Sequence, residues 1–330
     1  MINYLHRIFP ATVKNNISYG LHKKKEHGIA KNNIPSDCSL VIAPDSSSNE
    51  NELHSELIKK GVDVIVLDHH SVDNYEYDGA IIVNNQLSDK YDNKSLSGVG
   101  VVYKFCQVLD NIIKCANADY FLDLVALGLV ADMMDLRSFE TKRLINKGCQ
   151  NIINPFLVEI CKKNSFMMKD KINPFTLSFY VAPFINAITR SGSDDEKILV
   201  FESLLEYKSY EMIPSTKRGC KGTEESLCEQ AIRTTFNVKK HQDDLKMQML
   251  EQLRPTLDND DGLYGILIIQ LENPVEQNLT GLLANQIMAE YKRPTLILNK
   301  KINEETGEIT WEGSGRGFRT EQVADWRLFI

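Results

Sequence analysis

Apolar and polar positions alternate in two registers along the chain, and together they predict a succession of strands and helices. Ser39–Pro44 and Val62–Leu67 are short, mostly apolar, β-branched runs of the kind that form a parallel strand buried on both faces. Between them, residues 49–60 place Leu53, Leu57 and Ile58 at helical spacing, with Ser48 or Asn49 as N-cap and Gly61 as stop. Strand, helix and strand at this length make one βαβ unit, whose strands run parallel. Further along come a strand over Ala80–Asn84, a buried helix over Gly98–Leu109 and a helix apolar nearly all round over Tyr120–Ala131. An amphipathic helix follows over Thr141–Ile153. Residues 1–38 are weakly patterned: Ile17–Tyr19 is a candidate strand and His22–Gly28 a basic loop. The apolar run Phe175–Ala187 leads into Thr189-Arg190-Ser191-Gly192-Ser193, read as a small polar turn in which Arg190 is either a phosphate contact or a surface ion pair.

The pattern then changes. From Thr223 to about Arg254 the chain is charged and helix-prone, which predicts a long, largely exposed helix ended by residues 255–261. A strand over Gly262–Gln270, a helix over Asn278–Tyr291, a strand over Pro294–Leu298 and a strand over Glu308–Glu312 follow, the last running into Gly313-Ser314-Gly315-Arg316-Gly317. The fold class is α/β. The expected domains are a parallel-sheet domain over 1–212, a connecting helix over 213–256 and a smaller α/β domain over 257–330.

The chemistry gathers where the first strands end. One stops at Asp45 and the next at Asp68-His69-His70, a carboxylate and two imidazoles with no spacer. Ligands of open α/β sheets bind beyond the carboxyl ends of the strands. Parallel neighbours end on one edge, so Asp45 falls beside the DHH triplet. Imidazole with carboxylate suits Mn²⁺, Zn²⁺ or Fe²⁺; the alternative is a solvated turn with two chance histidines. Asp132, at the end of the apolar helix, also needs a partner, because a helix C-terminus disfavours an anion. A metal would satisfy it, and so would a lysine or arginine. Gly98-Val99-Gly100 lacks the spacing of a phosphate-binding loop.

Composition narrows the class only a little. The 330 residues give room for two domains, and 42% apolar with 25% charged residues is ordinary for a soluble globular chain. A net charge of −7 argues against a protein coated in basic groups, although a local basic groove can still bind phosphates. Seven scattered cysteines, never in CxxC spacing, read as reduced thiols of a cytoplasmic protein. No apolar run reaches the length of a membrane span, and no internal repeat is visible.

Taken in order, APD at 43–45, LDHH at 67–70, SLSGVGVVYKF at 95–105, LDLVALGLVADMMDL at 122–136 and INAITRSG at 185–192 resemble a RecJ-type single-strand-specific DNA exonuclease of the DHH phosphoesterase superfamily. LTGLLANQIMAEYKRPTLIL followed by GSGRG resembles that family's DHHA1 domain. The fold class is then a parallel-sheet DHH domain joined by a long helix to a smaller α/β DHHA1 domain. The resemblance implies two Mn²⁺ or Mg²⁺ ions and single-stranded DNA as substrate, degraded 5′ to 3′ in repair or recombination. Carried over, it makes Asp45 the bridging ligand, with His69 and Asp132 completing one metal site. His70 becomes the acid or electrophile at the scissile phosphate and Asp68 the residue that orients the histidines. Arg190, Ser314 and Arg316 become the backbone contacts.

The family's first strand, ending in a DxDxDG motif, has no counterpart here, since no aspartate precedes Asp37; nor is there a glycine-histidine motif after GSGRG. The expectation is a chain truncated at both ends, with one half of the metal site incomplete. A second polypeptide supplying the first strand is then an expected partner, and activity of the chain alone is not assured. Two other functions fit the same residues: a DHH phosphodiesterase of short oligonucleotides or cyclic dinucleotides, and a catalytically lapsed scaffold in a replication or repair complex.

Overall fold

The computed structural model describes residues 1–21, 28–72, 77, 79–259, 265–275, 277–303 and 306–318. The basic loop expected at 22–28 therefore lies, but for Gly28, outside the described residues. The chain divides into two compact units, Met1–Phe236 and Asn237–Ile330.

The first unit opens with two short helices, α1 (Ile2–Ile8) and α2 (Pro10–Asn16), where the sequence offered little pattern; Ile17–Tyr19 is not a strand. Seven-residue helices are marginal on local propensity, and α1 is held by partners far along the chain. Tyr4 is buried and its hydroxyl donates to Asp110 Oδ1 at 2.8 Å, while Asn3 Nδ2 donates to the Leu204 carbonyl at 2.8 Å. The parallel βαβ follows as β1 (Leu40–Pro44), α3 (Asn51–Lys59) and β2 (Asp63–Asp68), then β3 (Ile81–Asn84). The sheet order is β1-β2-β3, parallel throughout, with Pro44 opposite Leu67 and Asp68 opposite Asn84. Ala43, Val64 and Val66 of the sheet pack with Leu57 of α3, Val62 and Ala80 in one apolar cluster. The N-cap of α3 is Glu50, not Ser48 or Asn49, because Ser48 is committed elsewhere. Gly61 stops the helix at φ +81°, a conformation that costs glycine nothing.

Helix α4 (Gly98–Ile113) packs against β1 and β2, and the apolar α5 (Leu122–Ala131) against α4. Helix α6 (Phe139–Gln150) lies on α5, and its Gly148 approaches the Leu122 carbonyl too closely for any side chain. Buried Asp123 of α5 accepts the amides of Ile153 and Asn154 at 2.9 and 2.7 Å. There follow α7 (Pro155–Lys163), α8 (Ser165–Met168), α9 (Pro174–Tyr180), α10 (Ala182–Ser191) and α11 (Asp194–Ser203). The run read as one apolar stretch ending in a turn is thus two helices broken at Val181. Arg190 sits in the last turn of α10, with Gly192 as its C-cap. A hairpin, β4 (Met212–Pro214) with β5 (Glu224–Ser226), occupies the stretch assigned to the start of the connecting helix.

That helix, α12, runs Leu227–Asp258 and crosses the boundary between the units. Pro255 lies inside it and does not end it. A proline there forfeits one backbone hydrogen bond, and burial of Leu257 just beyond it in the second unit's core carries the helix past it. In that unit β6 (Leu267–Leu271) pairs in parallel with β7 (Thr295–Ile302), with α13 (Gln277–Tyr291) between them in sequence, and β8 (Ile309–Arg316) pairs antiparallel with β7. Leu283, Ala284 and Ile287 of α13 pack on Leu267, Leu271 and Ile297. The strand expected to end at Glu312 continues through glycine-rich 313–316, where Gly313 sits so that a Cβ would strike the Ile297 carbonyl.

All seven cysteines are free thiols, and among the described residues no helix is long and apolar enough to cross a membrane.

The Tyr4–Asp110 bond yields a stability test. Burial alone would raise the Asp110 pKa, but hydrogen bonds from Cys115, the Ala118 amide, Tyr4 and the Asn117 amide outweigh it and hold the pKa below the ordinary value. Tyr4→Phe removes one of those donors and should cost about 1–3 kcal/mol in urea unfolding at pH 7. Unchanged stability would mean that α1 is held without this bond.

Candidate metal centre

The three parallel strands end flush, and the residues beyond their carboxyl ends form one polar cluster. Asp68 closes β2 and is 1% exposed. Its Oδ1 accepts the His69 amide at 2.7 Å, the His70 amide at 3.3 Å and His70 Nδ1 at 2.7 Å, and its Oδ2 accepts the Ser48 amide at 3.2 Å. Burial raises the pKa of such an acid. Here the bonds from His70, Ser48 and the two histidine amides prevail and keep it below the usual carboxylate value. Asn84, ending β3, donates to Ser48 Oγ and to the His70 carbonyl, both at 2.9 Å. The loops after β1, β2 and β3 are therefore bonded to one another.

Asp45 follows β1 directly. Its amide continues the ladder to the Leu67 carbonyl at 2.8 Å, and its φ of +62° lies in the left-handed region, which aspartate tolerates better than most residues. Gly98 at the start of α4 leaves room for it: a Cβ at that position would collide with the Asp45 carboxylate. His69 Nε2 stands 3.2 Å from Asp45 Oδ1, and the His69 and His70 rings lie 4.4 Å apart. The hydrogen bond that His69 Nε2 donates to Asp45 raises the His69 pKa against the opposing effect of burial, with the Asp45, Asp132 and Asp68 charges adding to the rise.

Asp45, His69 and His70 each offer a ligand atom, and the three atoms lie within 4.8 Å of one another. Asp132, the C-cap of α5, is outside that set but within electrostatic reach: crowding by protein and the Asp45 charge raise its pKa, while His69 lowers it. Among the described residues no lysine or arginine forms an ion pair with Asp45 or Asp132. Carboxylates that repel one another beside two imidazoles, with no ammonium to neutralise them, are a donor set that fits a divalent transition metal or Mg²⁺.

Within the first unit, Arg190 is not brought into this cluster. Arg190 is exposed on α10 in the first unit. Ser314 and Arg316 belong to the second unit, on one face of β8. Ser314 Oγ lies 2.9 Å from Thr280 Oγ1, and Arg316 Nη1 donates to the Gly315 carbonyl at 2.7 Å. Sequence reasoning missed Ser48 and Asn84. Asn84 carried a signal, being the polar residue that ends the third apolar run; Ser48, one of three consecutive serines, carried none.

Residues 1–129 match the family described as DHH family, N-terminal domain. YorK, an SPbeta prophage-derived protein of Bacillus subtilis (strain 168) assigned as a candidate single-strand DNA-specific exonuclease, is 37% identical over 329 residues, which is 99% of this chain and 56% of that protein. The single-stranded-DNA-specific exonuclease RecJ of Escherichia coli (strain K12) is 25% identical over 307 residues, 87% of this chain and 48% of that one. The chain thus spans about half the length of these relatives. Among solved structures, a crystal structure of exonuclease RecJ bound to manganese superposes with a TM-score of 0.68 at 19% identity, over 90% of this chain and 72% of that one. RecJ of Thermus thermophilus in complex with Mn²⁺ gives 0.61 at 18%, over 79% and 36%. At such identities the likeness is one of fold.

Asp68 can be tested through pH. A depressed native pKa adds stability that is present in full above the ordinary value of 3.8 and is lost as pH falls through the native value below it. Asp68→Asn puts an amide NH₂ among donors and should cost about 1.5–3 kcal/mol at pH 7. The gap from wild type should narrow when denaturation is repeated below pH 3.8. A gap independent of pH would show that the charge on Asp68 does not organise the turn.

Proposed function

This chain belongs to the DHH family, and we propose that it hydrolyses phosphodiester bonds of single-stranded DNA as a RecJ-like exonuclease, using Mn²⁺ or Mg²⁺. The observation that carries this reading is the convergence of Asp45, His69 and His70, with ligand atoms within 4.8 Å, at the carboxyl edge of a parallel sheet. The choice of single-stranded DNA rests on the relatives named above, and a 5′-to-3′ direction on the resemblance of the motifs.

Asp45 and His69 would hold the cation, with Asp132 beside them as a further carboxylate. A bound divalent ion polarises a phosphoryl oxygen and lowers the pKa of the attacking water. The remaining steps belong to the side chains. Asp68 fixes the His70 ring by its 2.7 Å bond to Nδ1, which leaves Nε2 to meet the phosphate or hold a proton there. The His70 side chain is 59% exposed against 15% for His69, as expected if His70 faces substrate and His69 faces the metal. Arg190, Ser314 and Arg316 are proposed to hold the DNA backbone.

His69→Ala and Asp132→Ala should each lower Mn²⁺ affinity by at least the roughly 10- to 100-fold typical of losing a residue that only supports a ligand. Isothermal calorimetry with Mn²⁺ is the measurement, and unchanged affinity in both variants would remove the metal assignment. His70→Ala should abolish Mn²⁺-dependent release of nucleotides from a 5′-labelled single strand while keeping Mn²⁺ affinity within a few-fold. Turnover by that variant at the wild-type rate would take His70 out of the reaction. Running a 20-mer beside a dinucleotide separates an exonuclease of long strands from an enzyme confined to short ones.

A further inference from the structure

Helices α7, α8 and α9, each packed on the next, expose large apolar groups that the first unit's core does not use. Phe166 is 89% exposed, Phe175 61% and Phe179 60%. Large exposed rings on neighbouring elements mark a contact surface. Phe175 and Phe179 lie one turn apart on α9 with ring centroids 4.5 Å apart and planes at 36°. The backbone beneath them is fixed. Asn173 and Thr176 form a reciprocal cap at the start of α9, Leu177 is buried, and Asn164 Nδ2 donates to the Tyr180 carbonyl at 2.8 Å, tying the start of α8 to the end of α9.

The same segment is locally basic on an acidic chain. Lys162, Lys163, Lys169 and Lys171 face only Glu159 and Asp170 in sequence, on a protein of net charge −7. Lys162 is paired with Glu159 at 2.6 Å, and Lys163 stands over the Phe236 ring. Lys169 and Lys171 are exposed, and neither is in an ion pair among the described residues. Lys169 and Asp170 both adopt φ of +52°, a left-handed turn that residues other than glycine seldom take.

We propose that this face binds single-stranded DNA, with bases stacked on Phe166, Phe175 and Phe179 and phosphates at Lys169 and Lys171. The face lies on different elements from the metal centre and from Arg190, Ser314 and Arg316. Charge and shape select the occupant. A second copy of the chain would set lysine against lysine, and a duplex keeps its bases inside, whereas a single strand offers both π-faces and phosphates. DNA is chosen over other single strands on the reading of the preceding subsection, but binding here is measured without hydrolysis.

The test uses residues 1–330 in EDTA with fluorescein-labelled oligo(dT) 20-mer, followed by anisotropy across a salt series. Phe175→Ser with Phe179→Ser should weaken binding about 5- to 150-fold, the range for losing one stacked base on this ring pair. Lys169→Gln with Lys171→Gln should flatten the log–log salt slope by about 1.4, two single-strand phosphate contacts. The lysine variant alters exposed charges only and so stands as evidence if the phenylalanine variant fails to fold. Unchanged affinity and slope in both pairs would overturn the proposal, as would unchanged DNA binding together with loss of self-association in sedimentation. A wild-type chain that binds the 20-mer through these residues but cleaves nothing with Mn²⁺ present would keep the platform and remove the nuclease. A chain that cleaves but binds regardless of these residues would do the reverse.

Discussion

A buried carboxylate sets the terms for everything at the sheet's carboxyl edge. Asp68 is almost wholly inside the protein and stays ionised only because four donors converge on it. An unpaired charge there would cost several kcal/mol. Meeting its demand dictates the local structure. The backbone must turn at once after β2 so that the next two amides face back, the His70 ring must present Nδ1, and the loop after β1 must bring the Ser48 amide across. Asn84 then joins Ser48 and His70 from the third strand. The DHH triplet is therefore a turn built around its own first residue, and the two imidazoles take their places from that turn.

This explains why the site was partly legible in the sequence. The β-branched runs, their lengths and the intervening amphipathic helix imply parallel strands with flush ends, and Asp45 and Asp68 are the first polar residues at those ends. Which of four candidate side chains would bring ligand atoms together was not legible. In a strand, adjacent residues point to opposite faces. His69 and His70 lie beyond β2, in the turn that Asp68 builds, and so both contribute to one set with Asp45 while Asp132 stands beside it.

Elsewhere, tertiary context overrode local pattern. The first helix depends on Asp110 and Leu204, more than a hundred residues away, so no window near the N-terminus could reveal it. Arg190 is helical because the apolar run breaks at Val181 and restarts with Pro183 in the first turn of α10, where a proline is well placed. The glycines at 313 and 315 lie past Glu312, the expected end of their strand. Pairing with β7 makes them strand, and at Gly313 the missing side chain makes room for protein, not ligand. Glycine reports close approach of a backbone; it does not report what approaches.

Electrostatics bears on the proposed substrate. Asp45 and Asp132 bring two carboxylates together where a phosphodiester would have to come, and like charges there repel one another and the substrate. Without a cation the charges are met by protons: burial and the Asp45 charge raise the Asp132 pKa, and the Asp45, Asp132 and Asp68 carboxylates raise that of His69 against the opposing effect of burial. A protonated imidazole cannot ligate, and a protonated carboxyl is a poor ligand. Cation and proton therefore compete for one set of atoms, so loading the site releases protons and strengthens as pH rises. The anionic cluster that would repel a phosphate at this edge of the bare protein is the feature that, on the proposed function, would let the same edge hold one once a cation is bound.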